Sequence, residues 1–283
     1  MTTDNRPDPK PRKHSQLWQA YLAYDGLVRE QTRHKLRLSS IEKEKSNLDA
    51  DFEIDFIAAL KPFIRYNQRI MIAAGKTLGP VWDWIITIRG MATGTIPARI
   101  LAQIDDIAKF DTISKLWAFS GFAVRNGEIE RCVPGQTAPY NRTLKSASLR
   151  AVDQFVRQNT PVYRELYDEE KERQRELYPD AICTKCGGIA VKTGQTWRCS
   201  ECKQKNTNHA LMYTDGHLDA RAQRKVAKIF LQHVWLVWRQ CEELPISQPW
   251  VIAHGGHVDY ILPPNWPPES GTVKVLDEEP GGA

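Results

Sequence analysis

Four cysteines are arranged as two Cys-x2-Cys pairs separated by twelve residues: Cys183 with Cys186, and Cys199 with Cys202. Each pair can form a tight turn that directs two thiolates at one ion, and two such turns complete the tetrahedral thiolate shell that structural zinc prefers. Because four protein ligands leave no open position for water or substrate, such a site stabilises structure and points to binding. The spacing therefore predicts a small β zinc ribbon over residues 179–210, with Zn²⁺ as a structural cofactor.

Two disulfides in an exported protein are the alternative to a metal site. The chain begins Met-Thr-Thr-Asp and continues with a charged, proline-bearing stretch that has no apolar signal segment. We therefore expect a cytoplasmic, nucleoid-associated protein with reduced thiols, which favours the metal. Cys132 and Cys241 stand alone in the sequence and are expected to be buried thiols.

Length and charge set broad limits on function. The chain has 283 residues, enough for one main domain with appendages, and its formal charge of +5 is only mildly basic. Phosphate backbones are held by local clusters of lysine and arginine, so the positions of the cations matter more than the net charge. No apolar run reaches membrane-spanning length, and we expect no membrane partner.

The N-terminal part predicts a disordered arm followed by a long helix. Residues 1–14 contain prolines and mixed charge without apolar periodicity. Residues 15–57 follow a heptad pattern with polar interruptions, which predicts a coiled coil within a helical segment at residues 15–78 and a homo-oligomer formed through residues 15–57. A long amphipathic helix that packs on its own domain is the alternative. One core position of the heptad would hold Leu17, Tyr24, Gln31, Leu38, Lys45 and Phe52, and the other Ala20, Leu27, His34, Ile41 and Leu48.

Residues 84–101 predict two helices joined by a glycine hairpin. Gly90 and Gly94 permit the positive φ values of a tight turn, and Thr95 can cap the following helix. In a helix-hairpin-helix motif, the hairpin amides and the next helix N-terminus bind a DNA phosphate without reading base edges. A purely structural hairpin is the alternative. The predicted contacts are Arg89, Gly90, Thr93, Gly94, Thr95 and Arg99.

The order of residues from this hairpin onward resembles a known family. The stretches 88–110, 116–122 (Leu-Trp-Ala-Phe-Ser-Gly-Phe), 141–147 (Asn-Arg-Thr-Leu-Lys-Ser-Ala) and 221–230 are similar to the C-terminal domain of the Piv-like insertion-sequence transposases. These enzymes pair a RuvC-like DEDD nuclease domain with a C-terminal serine-bearing domain. The resemblance implies a mainly α protein, with a helical DNA-binding domain at residues 79–178 and 211–243 and the zinc ribbon as an insertion.

Two departures from the family bear on catalysis. Residues 1–80 offer no strand-borne aspartate cluster for the divalent metals of a RuvC-like nuclease. Asn126-Gly127 stands where the family serine is expected, and an asparagine amide cannot act as the nucleophile in phosphoryl transfer. Ser146 and Ser148 lie in a helical setting that favours capping or solvent exposure. We therefore predict no catalytic residue, while the resemblance implies a RuvC-like partner chain and structured RNA as a second ligand.

Basic residues recur after the hairpin and on the last helix, and either a solvated surface or a phosphate contact explains them. The helix at residues 218–240 carries an apolar stripe, on which His233 is expected to be a satisfied core histidine, and Trp235 and Trp238 are expected to pack in the core. The predicted nucleic-acid contacts in these regions are Arg125, Arg142, Lys145, Arg150, Arg221, Arg224, Lys225 and Lys228.

Residues 244–283 form a Pro/Gly-rich tail, in which a metal grip by His254 and His257 is less favoured than a surface turn. Three functions fit the whole sequence. The first is a DNA-binding protein related to a mobile-element transposase or recombinase and lacking nuclease activity. The second is the catalytic subunit of a split transposase that acts in DNA transposition with a nuclease on another chain. The third is a zinc-ribbon, coiled-coil adaptor that binds protein.

Overall fold

The computed structural model describes residues 15–45, 47–125, 128–129, 132–133, 135–205, 211–246 and 261–266. The predicted arm at residues 1–14, Asn126-Gly127, and the pair His254 and His257 lie outside these residues. The described chain is mainly helical, with a small antiparallel sheet beside the four cysteines, as the sequence predicts. None of its helices combines the length and the apolar character that a bilayer crossing requires.

The helices are α1 Gln16–Ile41, α2 Ala50–Lys76, α3 Pro80–Thr87, α4 Thr95–Ile104, α5 Ile113–Phe119, α6 Arg142–Arg157, α7 Tyr163–Leu177 and α8 Asp215–Cys241. The strands are β1 Val124–Arg125, β2 Glu128–Ile129, β3 Ala181–Cys183, β4 Ile189–Thr193, β5 Thr196–Cys199 and β6 Leu211–Met212. The chain divides into two units, Met1–Asp83 with Gly94–Ile107, and Trp84–Thr93 with Ala108–Ala283.

In the first unit, α1 and α2 pack against each other and both contact α4. The predicted continuous helix over residues 15–57 is wrong, because α1 ends at Ile41 and α2 begins at Ala50. The break has a local cause: the Asp49 carboxylate accepts hydrogen bonds from the backbone N–H groups of Asp51 and Phe52, which caps a new helix. The helix α1 therefore packs on its own domain, as the alternative interpretation proposed.

A buried polar pair joins the two long helices of this unit. The Nδ1 atom of His34 lies 2.5 Å from the Glu53 carboxylate, and both side chains are buried. The imidazole also stacks on the ring of Phe56, with 4.0 Å between the ring centroids. His34 therefore connects α1 to α2 within one chain.

In the second unit, α8 is the central element and contacts α5, α6 and α7. Trp235 and Trp238 are buried, which confirms that they pack in the core. His233 is fully buried between the hydroxyl of Tyr163 at 2.8 Å and the carbonyl of Ile261 at 2.8 Å, which confirms a satisfied core histidine. Burial lowers the pKa of His233 to about 4, so the ring is neutral, with Nε2 donating to Ile261 and Nδ1 accepting from Tyr163.

The small sheet has the strand order β5-β4-β3-β6 and is antiparallel throughout. Ala190 pairs with Ala181 on one side and with Cys199 on the other, which brings the first and the third cysteines of the motif to one end of the sheet. Its core is very small, with Trp197 packed against the buried residues Ala181, Cys183, Ala190, Cys199 and Leu211.

Candidate metal centre and basic groove

Two tight turns place the four cysteine sulfurs together. In the first turn the Gly187 N–H donates to the Cys183 carbonyl at 2.9 Å, and Gly187 has a φ of +75°, which glycine adopts readily. In the second turn Lys203 takes the same position relative to its cysteine pair, with a φ of +57°. The chain thus repeats one backbone turn at both Cys-x2-Cys pairs.

The sulfur geometry fits a tetrahedral metal site. All four Sγ atoms lie within 4.8 Å of one another, with 3.7 Å between Cys183 and Cys202 and 3.5 Å between Cys186 and Cys199. A metal–sulfur bond of about 2.3 Å places tetrahedral sulfurs about 3.8 Å apart, whereas a disulfide requires about 2.05 Å. The cysteines are therefore free thiols arranged to hold one metal ion such as zinc.

The backbone favours thiolate at the two buried cysteines. The N–H groups of Lys185 and Cys186 donate to the Cys183 sulfur and lower its pKa to about 7. Burial acts to raise the pKa of Cys199, but N–H groups of the following turn outweigh it, and the pKa is lowered.

Cys186 has the opposite shift. The Gly188 N–H favours its thiolate, but hydrogen bonds to the sulfurs of Cys199 and Cys202 prevail and raise its pKa to about 12. Sulfurs this close together cannot easily all carry a negative charge, because the thiolates repel one another. A divalent cation offsets this repulsion and favours the thiolate form of every ligand. The electrostatics of the cluster therefore match its geometry.

An aromatic stack connects the ribbon to the helices of its unit. The rings of Tyr178 and Tyr213 are nearly parallel with centroids 3.9 Å apart, and the Arg221 guanidinium lies 5.0 Å from the Tyr178 centroid. Lys192 of β4 also forms an ion pair of 2.9 Å with Asp215 at the start of α8. The predicted contact Arg221 thus lies over the aromatic stack, where it braces the ribbon.

A basic groove runs along the first three turns of α6. It encloses about 400 Å³ and is lined by Tyr140, Arg142, Lys145, Ser146, Leu149, Arg150 and Asp153. Arg142 and Arg150 are exposed, whereas Lys145 is half-buried. Burial lowers the pKa of Lys145, and the positive charge of Arg224 on α8 lowers it further, which shows that the two cations are close. Three of the predicted contacts, Arg142, Lys145 and Arg150, therefore line one groove, and the charge of Arg224 acts on Lys145.

Tyr140 and Gly121 shape this groove, and sequence reasoning missed both. The Lys145 ammonium lies 4.2 Å from the centroid of the Tyr140 ring. The same ring packs against Gly121, which has a φ of +73° and where an added Cβ would lie 2.6 Å from the ring. The only local signal was the Asn141 cap, whose side chain accepts from the Leu144 N–H and starts α6 directly after Tyr140.

Two other predicted contacts on α8 have internal partners. Lys225 forms a 2.9 Å ion pair with buried Glu170. Although burial acts to raise the pKa of Glu170, hydrogen bonds from Arg173, Lys225 and Gln174 lower it to about 2. Lys228 lies 4.3 Å from the Trp117 ring centroid, and burial lowers the pKa of its ammonium. These lysines stabilise the second unit.

The predicted hairpin contacts are divided between the two units. In the second unit Arg89 is exposed, Gly90 has a φ of +94°, and Thr93 is exposed. In the first unit Gly94 has a φ of +72° and is buried against Trp82.

The surroundings of Thr95 and Arg99, at the start of α4, differ from those that the sequence predicts. Gly94 is the N-cap of α4, so Thr95 does not cap that helix; its hydroxyl instead accepts a hydrogen bond of 2.6 Å from Gln68. Arg99 is largely covered and lies 3.6 Å from Asp25.

The backbone of Arg125 lies in β1, and its side chain is outside the described atoms.

The two serines of α6 differ in their surroundings, and so do the two lone cysteines. Ser146 is exposed on the groove wall, as expected, but Ser148 is buried and donates to the Leu144 carbonyl at 2.9 Å. Ser148 lies on the apolar face of α6, so it neither caps the helix nor contacts solvent. Cys132 is exposed and Cys241 is half-buried, so the prediction of buried thiols is wrong for Cys132, which lies in a loop near the Tyr140 hydroxyl.

No protein-family model, no curated protein and no solved structure matches this chain. The resemblance to the Piv-like transposases therefore stays a prediction from the sequence.

Proposed function

We propose that this protein binds DNA through the basic groove of α6 and that it cuts no strand by itself. The observation that carries the proposal is the convergence of Arg142, Lys145 and Arg150 on one groove, with Arg224 beside it. The first three lie on α6 and Arg224 lies on α8, and 57 residues of chain separate the two helices, so only the fold brings Arg224 near Lys145.

The groove suits a phosphate backbone for two physical reasons. Arginine offers planar, bidentate donors that match phosphate oxygens, and both arginines are exposed. One end of the groove also lies at the first turn of α6, at Arg142 and Lys145, where the helix dipole favours an anion. Such contacts position a protein on nucleic acid without reading its sequence.

The metal in the proposal is zinc. A closed shell of four thiolates at tetrahedral spacing is the usual structural zinc site, and it leaves no ligand position for substrate. Zinc would hold the ribbon, whose buried core is too small to fold alone. The metal centre thus supports the fold, and chemistry at the metal is not part of the proposal.

The resemblance to the C-terminal domain of the Piv-like transposases supports a role in DNA transposition or recombination within a mobile genetic element. Strand cleavage would come from a RuvC-like partner chain, because Ser148 is buried and Asn126 stands where the resemblance predicts the family serine. A split transposase predicts co-purification with such a nuclease. A protein-binding adaptor predicts a complex that ignores added DNA.

A binding titration tests the proposed function. Fluorescence anisotropy of the full chain is followed with duplex DNA, single-stranded DNA and structured RNA at several salt concentrations. We expect duplex DNA to bind, with affinity falling by about 0.9 log units per log unit of salt for each phosphate contacted. A preference for RNA would replace the DNA assignment, and no binding to any of the three would contradict the proposal.

A further inference from the structure

The second helix of the first unit has two apolar faces, and the described residues of the chain cover only one of them. One face of α2 buries Ile57, Met71 and Gly75, and α1 and α4 pack against this helix. The other face is exposed to solvent, with Phe52 58%, Phe63 60% and Tyr66 62% accessible. An apolar stripe of this size on a helix marks an interaction surface.

The exposed stripe has the spacing of a coiled-coil seam. Its residues alternate in steps of four and three, which is the a/d repeat of a heptad pattern over about 27 Å of helix. We call this stripe the α2 seam, and it consists of Phe52, Phe56, Ala59, Phe63, Tyr66 and Ile70. Phe52 and Phe56 already contact each other along it, with ring centroids 6.0 Å apart.

We propose that the α2 seam joins two copies of this chain in an antiparallel pair of α2 helices. The seam is self-complementary when it is reversed about residue 61. Phe52 then faces Ile70 of the second copy, Phe56 faces Tyr66, and Ala59 faces Phe63. Each small or medium side chain meets a larger one, which is the condition for close packing at a helix interface. A two-fold axis makes both halves of the contact identical.

Charge at the edge of the seam selects the antiparallel orientation. Asp55 and Arg69 are both exposed, and they occupy the same heptad position two repeats apart. In the antiparallel pair the reversal about residue 61 sets Asp55 of each copy level with residue 67 of the other, about 3 Å along the helix from Arg69. A parallel pair would place like charges at the same level of both helices. Opposite charges at such positions set partner orientation in coiled coils.

In this proposal the two copies associate through α2 and not through the heptad pattern predicted over residues 15–57. It does not rest on the proposed DNA binding, since a dimer forms or fails to form without nucleic acid. The tests therefore use the full chain in the absence of DNA.

Sedimentation equilibrium of the full chain measures the association directly. We expect a mass of twice 32.4 kDa that returns to 32.4 kDa on dilution. The double variant Phe63→Glu with Tyr66→Glu should be monomeric with an unchanged far-ultraviolet circular dichroism spectrum, because both side chains are exposed. Leu36→Glu is the matched control: Leu36 is 67% exposed on α1, and its replacement should leave the dimer intact. A wild-type monomer at every concentration, or a dimer that survives the double variant, overturns the proposal.

A charge exchange tests the orientation and does not depend on the apolar variants folding. Asp55→Arg places two arginines side by side at each end of the antiparallel pair and should raise the dimer dissociation constant about tenfold. The variant carrying both Asp55→Arg and Arg69→Asp should recover it to within about threefold of the wild type. If the second change brings no recovery, the antiparallel arrangement is wrong.

Discussion

The buried carboxylate of Glu53 on α2 lies 2.5 Å from the imidazole of His34 on α1. Arg37 approaches the same carboxylate at 3.8 Å from a more exposed position. Removal of one partner from a buried pair leaves the other without compensation for its lost hydration. The free energy of unfolding then falls by about 3 to 5 kcal/mol.

His34→Ala should lower the free energy of unfolding by about 3 kcal/mol, because buried Glu53 would keep only the half-exposed Arg37 as a cationic partner. The measurement is a urea titration followed by circular dichroism. Arg33→Ala is the control, since its ion pair with Glu30 is exposed and is expected to contribute at most about 0.5 kcal/mol. Adding Glu53→Gln to His34→Ala should recover part of the loss; a loss below about 1 kcal/mol for His34→Ala would contradict the role of the pair.

Metal removal should unfold the ribbon while the helices persist. Elemental analysis is expected to find one zinc ion per chain, and a chelator should abolish the dispersed amide resonances of residues 181–205, because five small buried residues cannot hold the sheet. Cys183→Ser should lose zinc, whereas Cys241→Ser should retain it. Full zinc in Cys183→Ser would contradict the assigned ligands.

Stability should depend on pH through His233. Its pKa is lowered to about 4 from an ordinary value of 6.5, so between these values the unfolded chain binds a proton that the folded chain excludes. The contribution of His233 is therefore complete above pH 6.5 and is lost as the pH falls toward 4, a change of about 3 kcal/mol. His233→Gln should flatten the slope of unfolding free energy against pH in this range. Tyr163→Phe keeps the imidazole and should keep most of the slope.

Gly121→Ala should lower the free energy of unfolding by about 2 kcal/mol and displace the Tyr140 ring that lines the groove. The new methyl group would combine a φ of +73° with a clash against the Tyr140 ring, which Lys145 also contacts. Gly135→Ala is the matched control, because Gly135 has a φ of +79° but open space around its Cβ, so only backbone strain of about 1 kcal/mol is added. Equal losses in the two variants would show that the Tyr140 contact is unimportant.

The metal cluster was predictable because its chemistry is local. All four cysteines lie within twenty residues, and a two-residue gap fixes how each pair turns. The satisfied core histidine was predictable for a similar reason, since His233 lies on an apolar helical stripe.

The groove and the break between α1 and α2 were not predictable in the same way. The heptad frame placed Leu48 and Phe52 in a core, but the Asp49 cap restarts the helix, and both side chains are more than half exposed. Heptad spacing identifies an apolar stripe on a helix, but it does not identify the element that packs against that stripe. The groove depends on Tyr140 packing over Gly121, a contact between loops that carries no periodic signal. Likewise, Lys225 is indistinguishable from Lys145 in sequence, and only the fold gives Lys225 a buried carboxylate.

The salt dependence of duplex DNA affinity in two charge-matched variants tests the central claim most directly. Arg142→Gln with Arg150→Gln removes the two exposed arginines of the groove, while Lys115→Gln with Arg175→Gln removes two exposed cations on α5 and α7. Both variants lose the same charge. We predict that the slope of log affinity against log salt falls by about 2 in the groove variant and stays at the wild-type value in the control. Equal slopes in the two variants would show that the groove does not hold the DNA backbone.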